Sequence, residues 1–252
     1  MPDLILLQAL LPETPLQGSV ETESTNTDAR NWLKAGAEHG SLVIADRQRG
    51  GRGRMGRSFA SEAGGLYMSL VLKTDLPAGT VTTLCAVAVR RAVRQLTGRT
   101  LAIKWVNDLQ ESGKKVCGIL CEGVWSGSEL LGVIAGIGLN VSQKTFSPEL
   151  REIAASLYPD GSSPKSREAF AAAVHREIMT LLKSAPAHMA EYRKACITLG
   201  KRVQWQRDGR IFSGIARAVD DTGALCIDTE SGPVLLAAGE VSLKSLTPSA
   251  DA

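Results

Sequence analysis

Ten consecutive residues, 48–57 (Gln-Arg-Gly-Gly-Arg-Gly-Arg-Met-Gly-Arg), hold four glycines and four arginines. Such a stretch reads as a loop. Glycine reaches backbone conformations with φ > 0 and lets the chain come close to a ligand. Arginine adds a planar, permanently charged fork that matches carboxylate and phosphate oxygens. Apolar runs flank the loop at 41–46 and 66–72, and both read as short buried strands. An arginine- and glycine-rich loop held between strands predicts a site for an anion. RG-rich segments are also found disordered on nucleic acid. Here the run is short, lacks an extended RG repeat, and leads directly into a strand.

A chain of 252 residues with 44% hydrophobic content has room for one large domain, or a large one and a small one. No segment approaches the ~20 consecutive apolar residues of a membrane span. The apolar Leu4-Ile-Leu-Leu7 follows an acid, Asp3, and lacks the basic flank and cleavage site of a secretion signal. The expectation is a cytoplasmic protein with no membrane partner. Five cysteines, at 85, 117, 121, 196 and 226, agree. Cys117 and Cys121 are spaced C-x3-C without accompanying histidines, which reads as buried thiols rather than zinc. The net charge of +3, from 29 basic and 26 acidic residues, demands no polyanionic partner. The basic character is local to 47–57, which favours a small anionic ligand.

Residues 1–20 read as a short lead-in. Thr25 with Asp28 fits a helix N-cap and acidic first turn, the helix ending near Gly36. A helix over 80–96 ends at Gly98. Strands are predicted at 101–106 and 115–121 with a turn at 111–114. A strand region at 130–141 is interrupted by Gly132, Gly136 and Gly138. Helices follow at about 147–157, 165–184 and 187–198. The texture changes near Gly200. Five short strands follow in about 45 residues, the first two joined across Asp208-Gly209, a hairpin signal. That pattern predicts a small SH3-like β-barrel.

Four further clusters carry polar chemistry. Ser24-Thr25-Asn26 could hydrogen-bond an uncharged ligand, or simply cap a helix. Lys104-Trp-Val-Asn107-Asp108 places a base and an acid at a strand end, able to grip a nucleotide or Mg²⁺, or to form a surface ion pair. Lys114-Lys115 leads into a glycine-containing strand and can point into a site, or be a solvated turn. Gly136-Ile-Gly138-Leu-Asn140 permits close packing or ligand approach. It lacks the full G-x-G-x-x-G pattern of a Rossmann site.

In this order the clusters resemble the biotin protein ligase family. The resemblance runs from about Glu21 to Leu246. It rests on Glu-Ser-Thr-Asn at 23–26, Gly-Arg-Gly-Arg-x-Gly-Arg at 51–57 and Lys-Trp-x-Asn-Asp at 104–108. Lys-x-x-Gly-Ile-Leu at 115–120, Gly-Ile-Gly-Leu-Asn at 136–140 and the run from Gly214 to Leu225 complete it. The implied fold is a mixed-sheet α/β (α+β) catalytic domain related to class II tRNA synthetases, over 1–199. The SH3-like barrel occupies 200–252. The implied chemistry has two steps. The carboxylate of biotin attacks the α-phosphate of Mg·ATP, giving biotinyl-5′-AMP and pyrophosphate. A lysine of a biotin carboxyl carrier protein domain of acetyl-CoA carboxylase then attacks the anhydride, releasing AMP.

By this resemblance Ser24, Thr25, Asn26 and Gln48 contact biotin, with Arg52, Gly53 and Arg54 enclosing it. Arg54, Lys104, Asn107 and Asn140 serve the nucleotide. Arg52 and Lys115 are the catalytic cations, Lys115 also lying at the biotin, because fixed charge offsets repulsion between carboxylate and triphosphate. Asp108 orients or deprotonates the incoming lysine. Biotin, ATP and Mg²⁺ are expected with no permanently bound cofactor. The metal ligands are not assigned, since phosphates can supply most of them.

Three positions depart from the family pattern: Val106 stands for proline, Met55 for arginine and Phe59 for tryptophan. Only about 20 residues precede the first motif, too few for the helix-turn-helix domain of the repressor forms. The expectation is therefore a monofunctional ligase that binds no DNA. A homodimer is left open. A lipoate-protein ligase and a nonenzymatic nucleic-acid-binding module are the rival readings.

Overall fold

Seven strands form the main sheet of the computed structural model, which describes residues 1–207, 209–237, 239 and 241–243. They are β1 (Leu16–Thr22), β2 (Leu42–Gln48), β3 (Leu66–Leu72), β4 (Ala102–Lys104), β5 (Asp108–Glu111), β6 (Lys114–Ser126) and β7 (Glu129–Leu139). Their order is β1-β2-β3-β7-β6-β5-β4, with β1 and β2 parallel and every other pair antiparallel. Central β3, Leu-Tyr-Met-Ser-Leu-Val-Leu, is buried along its whole length, which is why it reads as an unbroken apolar run.

The strands' two faces do different work. Leu66, Met68, Leu70 and Leu72 of β3, with Val133, Ala135, Ile137 and Leu139 of β7, join the main core. Helices α3 (Ala78–Thr97) and α4 (Arg167–Leu182) cover that face. Alanines and valines along α3 allow a close approach, and Gly98 at φ 74° ends the helix in the left-handed conformation. The opposite face carries α2 (Thr25–Lys34), whose Ala29 and Leu33 pack on Val43, Val71 and Ile134. The amino end of α2 therefore lies over the central strands.

A second sheet is built from β8 (Arg202–Arg207), β9 (Arg210–Val219), β10 (Leu225–Thr229), β11 (Gly232–Leu236) and β12 (Ser242–Leu243). It is antiparallel, in the order β11-β10-β9-β8-β12. Its Val203, Trp205, Leu225 and Ile227 belong to the same apolar cluster as the main core. Polar ties reinforce the junction. The Trp105 indole donates to Gly223 O at 2.9 Å, and Arg193 of α5 (Met189–Ala195) donates to Val219 O at 2.6 Å.

Several expectations need correction. The lead-in contains α1 (Leu4–Leu10), capped by Asp3, and the edge strand β1. Ser24, not Thr25, occupies the cap position of α2, and Thr25 is the first helical residue. No helix forms over 147–157. After one turn there, Ile153 and Ala155 instead exchange backbone hydrogen bonds with Lys115, tying this segment to the start of β6. The glycines of β7 do not interrupt it, since the strand is continuous for 11 residues. The strand predicted at 101–106 is the shorter β4, and β5 follows it before the turn at Ser112-Gly113. The expected Asp208-Gly209 hairpin involves a residue outside those described, although β8 and β9 do pair up to Arg207 and Arg210. No described helix is long and apolar enough to cross a membrane.

Candidate active site

Small residues on the α2 side of the sheet open a space there. Ser69, Gly136 and Leu120 pair in one row across β3, β7 and β6, and Tyr67, Gly138 and Gly118 in the next. A Cβ at Gly136 would overlap the Asn26 amide, and Cβ atoms at Gly118 and Gly138 would overlap the Phe59 ring. The glycines are thus required by close approach, of a helix start in one row and an aromatic ring in the other. Gly136 and Leu120 of the first row, with Gly138 and Gly118 of the second, floor a cavity. Its walls come from the α2 start, the 48–59 loop, the β4–β5 connection and the beginning of β6.

Part of the cavity wall is built of uncharged, closely hydrogen-bonded side chains. The Gln48 carbonyl accepts from Thr25 N at 2.9 Å and from Thr25 Oγ1 at 3.0 Å. The Gln48 amide donates to Ser61 Oγ at 2.8 Å. Ser69 Oγ lies 2.8 Å from Thr25 Oγ1 and donates to Asn26 Oδ1 at 2.7 Å. The Asn26 amide nitrogen donates to Leu120 O and to Glu122 Oε2. Ser24, Thr25, Asn26 and Ser69 are all buried. A buried polar cluster of this kind fixes its rotamers and presents a set pattern of donors and acceptors.

Charged side chains line the same cavity. Lys115 Nζ sits 5.6 Å above the Phe59 ring and pairs with Asp108. Arg52 Nη2 donates to Glu122 at 3.1 Å. Arg54, Arg57 and Lys104 complete the cationic lining. The arginine loop is a small hairpin here. Arg52 and Ser58 form an antiparallel bridge, Gly53 N donates to Arg57 O, and the tip at Arg54–Gly56 is a tight turn kinked at Met55. Met55 at the tip is exposed, with φ 55°.

Eleven of the residues singled out in the sequence line this one cavity: Ser24, Thr25, Asn26, Gln48, Arg52, Gly53, Arg54, Lys104, Asn107, Asp108 and Lys115. Asn140 does not. Its buried amide donates to Ala155 O at 3.1 Å and accepts from Gln143 at 3.0 Å, behind the Lys115 backbone. Asn107 lines the cavity and also clamps β6, its amide donating to Ile119 O at 2.9 Å. Sequence reasoning missed Ser69, Ser61, Phe59, Arg30 and Glu122. Ser69 had a signal, a lone polar residue in an otherwise apolar strand. Gly239, from the connection between β11 and β12, also reaches the cavity.

Known proteins resemble this chain in sequence and fold. Residues 18–140 match the Biotin/lipoate A/B protein ligase family, and residues 198–244 match the Biotin protein ligase C terminal domain. The bifunctional ligase/repressor BirA of Bacillus spizizenii is 32% identical over 234 residues, covering 87% of this chain and 71% of that protein. The biotin–[acetyl-CoA-carboxylase] ligase of Mycobacterium tuberculosis is 33% identical over 235 residues, covering 88% and 86%. A solved structure of the Aquifex aeolicus biotin protein ligase, in complex with biotin and ATP, superposes with a TM-score of 0.77. It is 28% identical, and the match covers 91% of this chain and 98% of that one. With both segments matched, relatives more than 30% identical over most of their length, and the fold superposing, the chain belongs to the biotin protein ligase family.

Proposed function

We propose that the protein activates biotin with ATP to biotinyl-5′-AMP and transfers the biotinyl group to a lysine of a carboxyl carrier protein domain. One observation carries this reading. Uncharged, hydrogen-bonded side chains and several cations line a single cavity. Biotin has the complementary form, with a ureido ring offering two N–H donors and a carbonyl acceptor, and a carboxylate at its far end.

Thr25, Asn26 and Gln48 would receive the ureido ring, with Ser69 holding Thr25 and Asn26 in place and Ser24 and Gly53 closing around the ligand. Arg52, Arg54 and Lys115 would meet the carboxylate and the α-phosphate, with Lys104 and Asn107 toward the nucleotide. Bringing two anions together is the main electrostatic obstacle, and preorganised cations lower it most where charge develops. In the first step the carboxylate oxygen bonds to the α-phosphorus and pyrophosphate leaves. In the second the lysine amine attacks the acyl carbon, AMP leaves, and Asp108 takes up the amine proton. Asn140 acts from behind, holding the backbone that carries Lys115.

Asp108 is the one carboxylate among the cavity's lining residues, and no cluster of three metal-ligating side chains occurs among the described residues. That donor set fits a magnesium ion bound chiefly through phosphate oxygens, whose role is to neutralise them. No permanently bound cofactor, DNA or membrane enters the proposal. We assign 1–199 to the catalytic domain and 200–252 to a terminal SH3-like domain. The start of the second sheet at Arg202 supports that boundary. We also propose the ligase-only form, in which these residues carry the activity without a repressor function.

The lipoate reading fits less well. A dithiolane ring offers no strong hydrogen-bonding groups and would make no use of the polar pattern that Thr25, Asn26 and Gln48 present. Biotin-dependent ATP–pyrophosphate exchange, followed by label transfer to a carrier domain, tests the proposal. Exchange driven by lipoate and not by biotin would overturn it.

A further inference from the structure

Glu122 of β6 shares the sheet face of Gly118 and Leu120, yet does not line the cavity. Three donors converge on its carboxylate. Asn26 Nδ2 at 2.8 Å and Arg52 Nη2 at 3.1 Å reach Oε2, and Arg30 Nη2 at 2.9 Å reaches Oε1. Asn26 and Arg52 line the cavity, whereas Arg30, one turn along α2 from Asn26, does not. One anion is thus held by two arginines, and only one of them borders the space where substrate would sit.

This charge count has a consequence. A half-buried carboxylate stripped of its only cation pays a desolvation cost that opposes the change. With Arg30 in place, Glu122 stays paired when Arg52 moves away. We infer that Glu122 and Arg30 form a berth for Arg52. Arg52 rests on Glu122 while the cavity is empty and swings to the substrate anions when they arrive, and Arg30 keeps Glu122 neutralised meanwhile. This rests on the ligase reading and adds two positioning residues to it. Neither touches the substrate. Glu122 sets where Arg52 waits, and Arg30 sets how readily it leaves.

The two charges should act with opposite sign, which a merely structural ion-pair cluster would not produce. Hydrogen exchange across residues 50–58 of the ligand-free protein reads the resting contact. Glu122→Gln should speed that exchange about fivefold, because the hairpin loses its anchor, within the range of opening energies for surface loops. Arg30→Met should leave it no faster than wild type, because Glu122 then grips Arg52 alone. Single-turnover adenylate formation reads the release. Arg30→Met should slow it about tenfold, a typical coupling between contacting charges, and adding Glu122→Gln should recover most of that loss. Faster exchange in Arg30→Met, unchanged exchange in Glu122→Gln, or losses that multiply in the double variant would each overturn the berth. A wild-type protein that forms no adenylate would instead sink the ligase reading, and the exchange measurements would still decide this one.

Discussion

Lys115 Nζ lies 2.6 Å from Asp108 Oδ1, so the start of β6 and the end of the Lys-Trp-x-Asn-Asp motif meet as an ion pair at the cavity wall. Phe59 backs the ammonium, and Asn140 and Ala155 fix the main chain behind it. A cation held this way needs little reorganisation to meet developing charge. Lys115→Met should lower single-turnover adenylate formation by roughly 10²–10³-fold, the usual range for a lost electrostatic contact in a transition state. Equilibrium biotin affinity should change far less. A Lys115→Met protein that forms adenylate at the wild-type rate would remove this lysine from the chemistry.

The glycine floor gives a second prediction. A methyl group at position 136 would collide with the Asn26 amide, which has no slack because Ser69, Leu120 and Glu122 hold it. Gly136→Ala should weaken biotin binding at least tenfold through displacement of Asn26, while the fold persists. Calorimetric titration with biotin checks this. Unchanged affinity in a folded Gly136→Ala protein would mean that Asn26 does not contact the ligand.

His188 makes stability depend on pH. Burial, helped by Arg193 and Arg91 and opposed by Asp221, pushes its pKa down from 6.5 to about 4. Its ring nitrogen lies 2.9 Å from Thr83 Oγ1. The folded protein keeps this imidazole neutral, while the unfolded chain takes up a proton as pH falls through 6.5. The unfolded state therefore binds more protons between pH 6.5 and about 4, and stability declines across that window as pH falls. Melting temperatures of wild type and His188→Gln, measured at pH 7.5 and pH 4.5, should show the wild type losing ground at the lower pH. An equal difference at both values would refute the assignment.

Trp105 links the cavity to the terminal sheet. Its ring is buried, its indole donates to Gly223 O, and its backbone N–H donates to Thr198 Oγ1 at 2.9 Å. Trp105→Phe should cost about 1 kcal/mol for the lost buried hydrogen bond. It should also impair ATP use more than biotin binding, since Trp105 and Gly239 border the cavity together. Thermal melts and separate Kd values for biotin and ATP would show this. Equal loss for both ligands would make the terminal sheet a structural support only.

Much of this was readable in the residues. The β3 run, the α3 helix with its Gly98 stop, and the turn at Ser112-Gly113 follow from local apolar patterning and glycine positions. Contact at a distance was not readable. The 147–157 segment has helical spacing, but Lys115 offers its backbone an extended partner instead. Gly132, Gly136 and Gly138 look like strand breakers along the chain, yet flanking strands on both sides of β7 keep it extended. The motifs gave the cavity walls because each is a short polar run. Glu122 and Arg30 gave no such signal, because their meaning comes from lying beside Arg52 in space.

The floor of the cavity is largely main chain, since Gly118, Gly136 and Gly138 contribute no side chains to it. A surface without side chains has almost nothing to vary. Any substitution there adds bulk and shrinks the space instead of giving it new chemistry. A variant meant to accept a differently shaped acid must therefore be sought among wall positions such as Thr25, Gln48 and Phe59, and a library aimed at the floor would return mostly inactive protein.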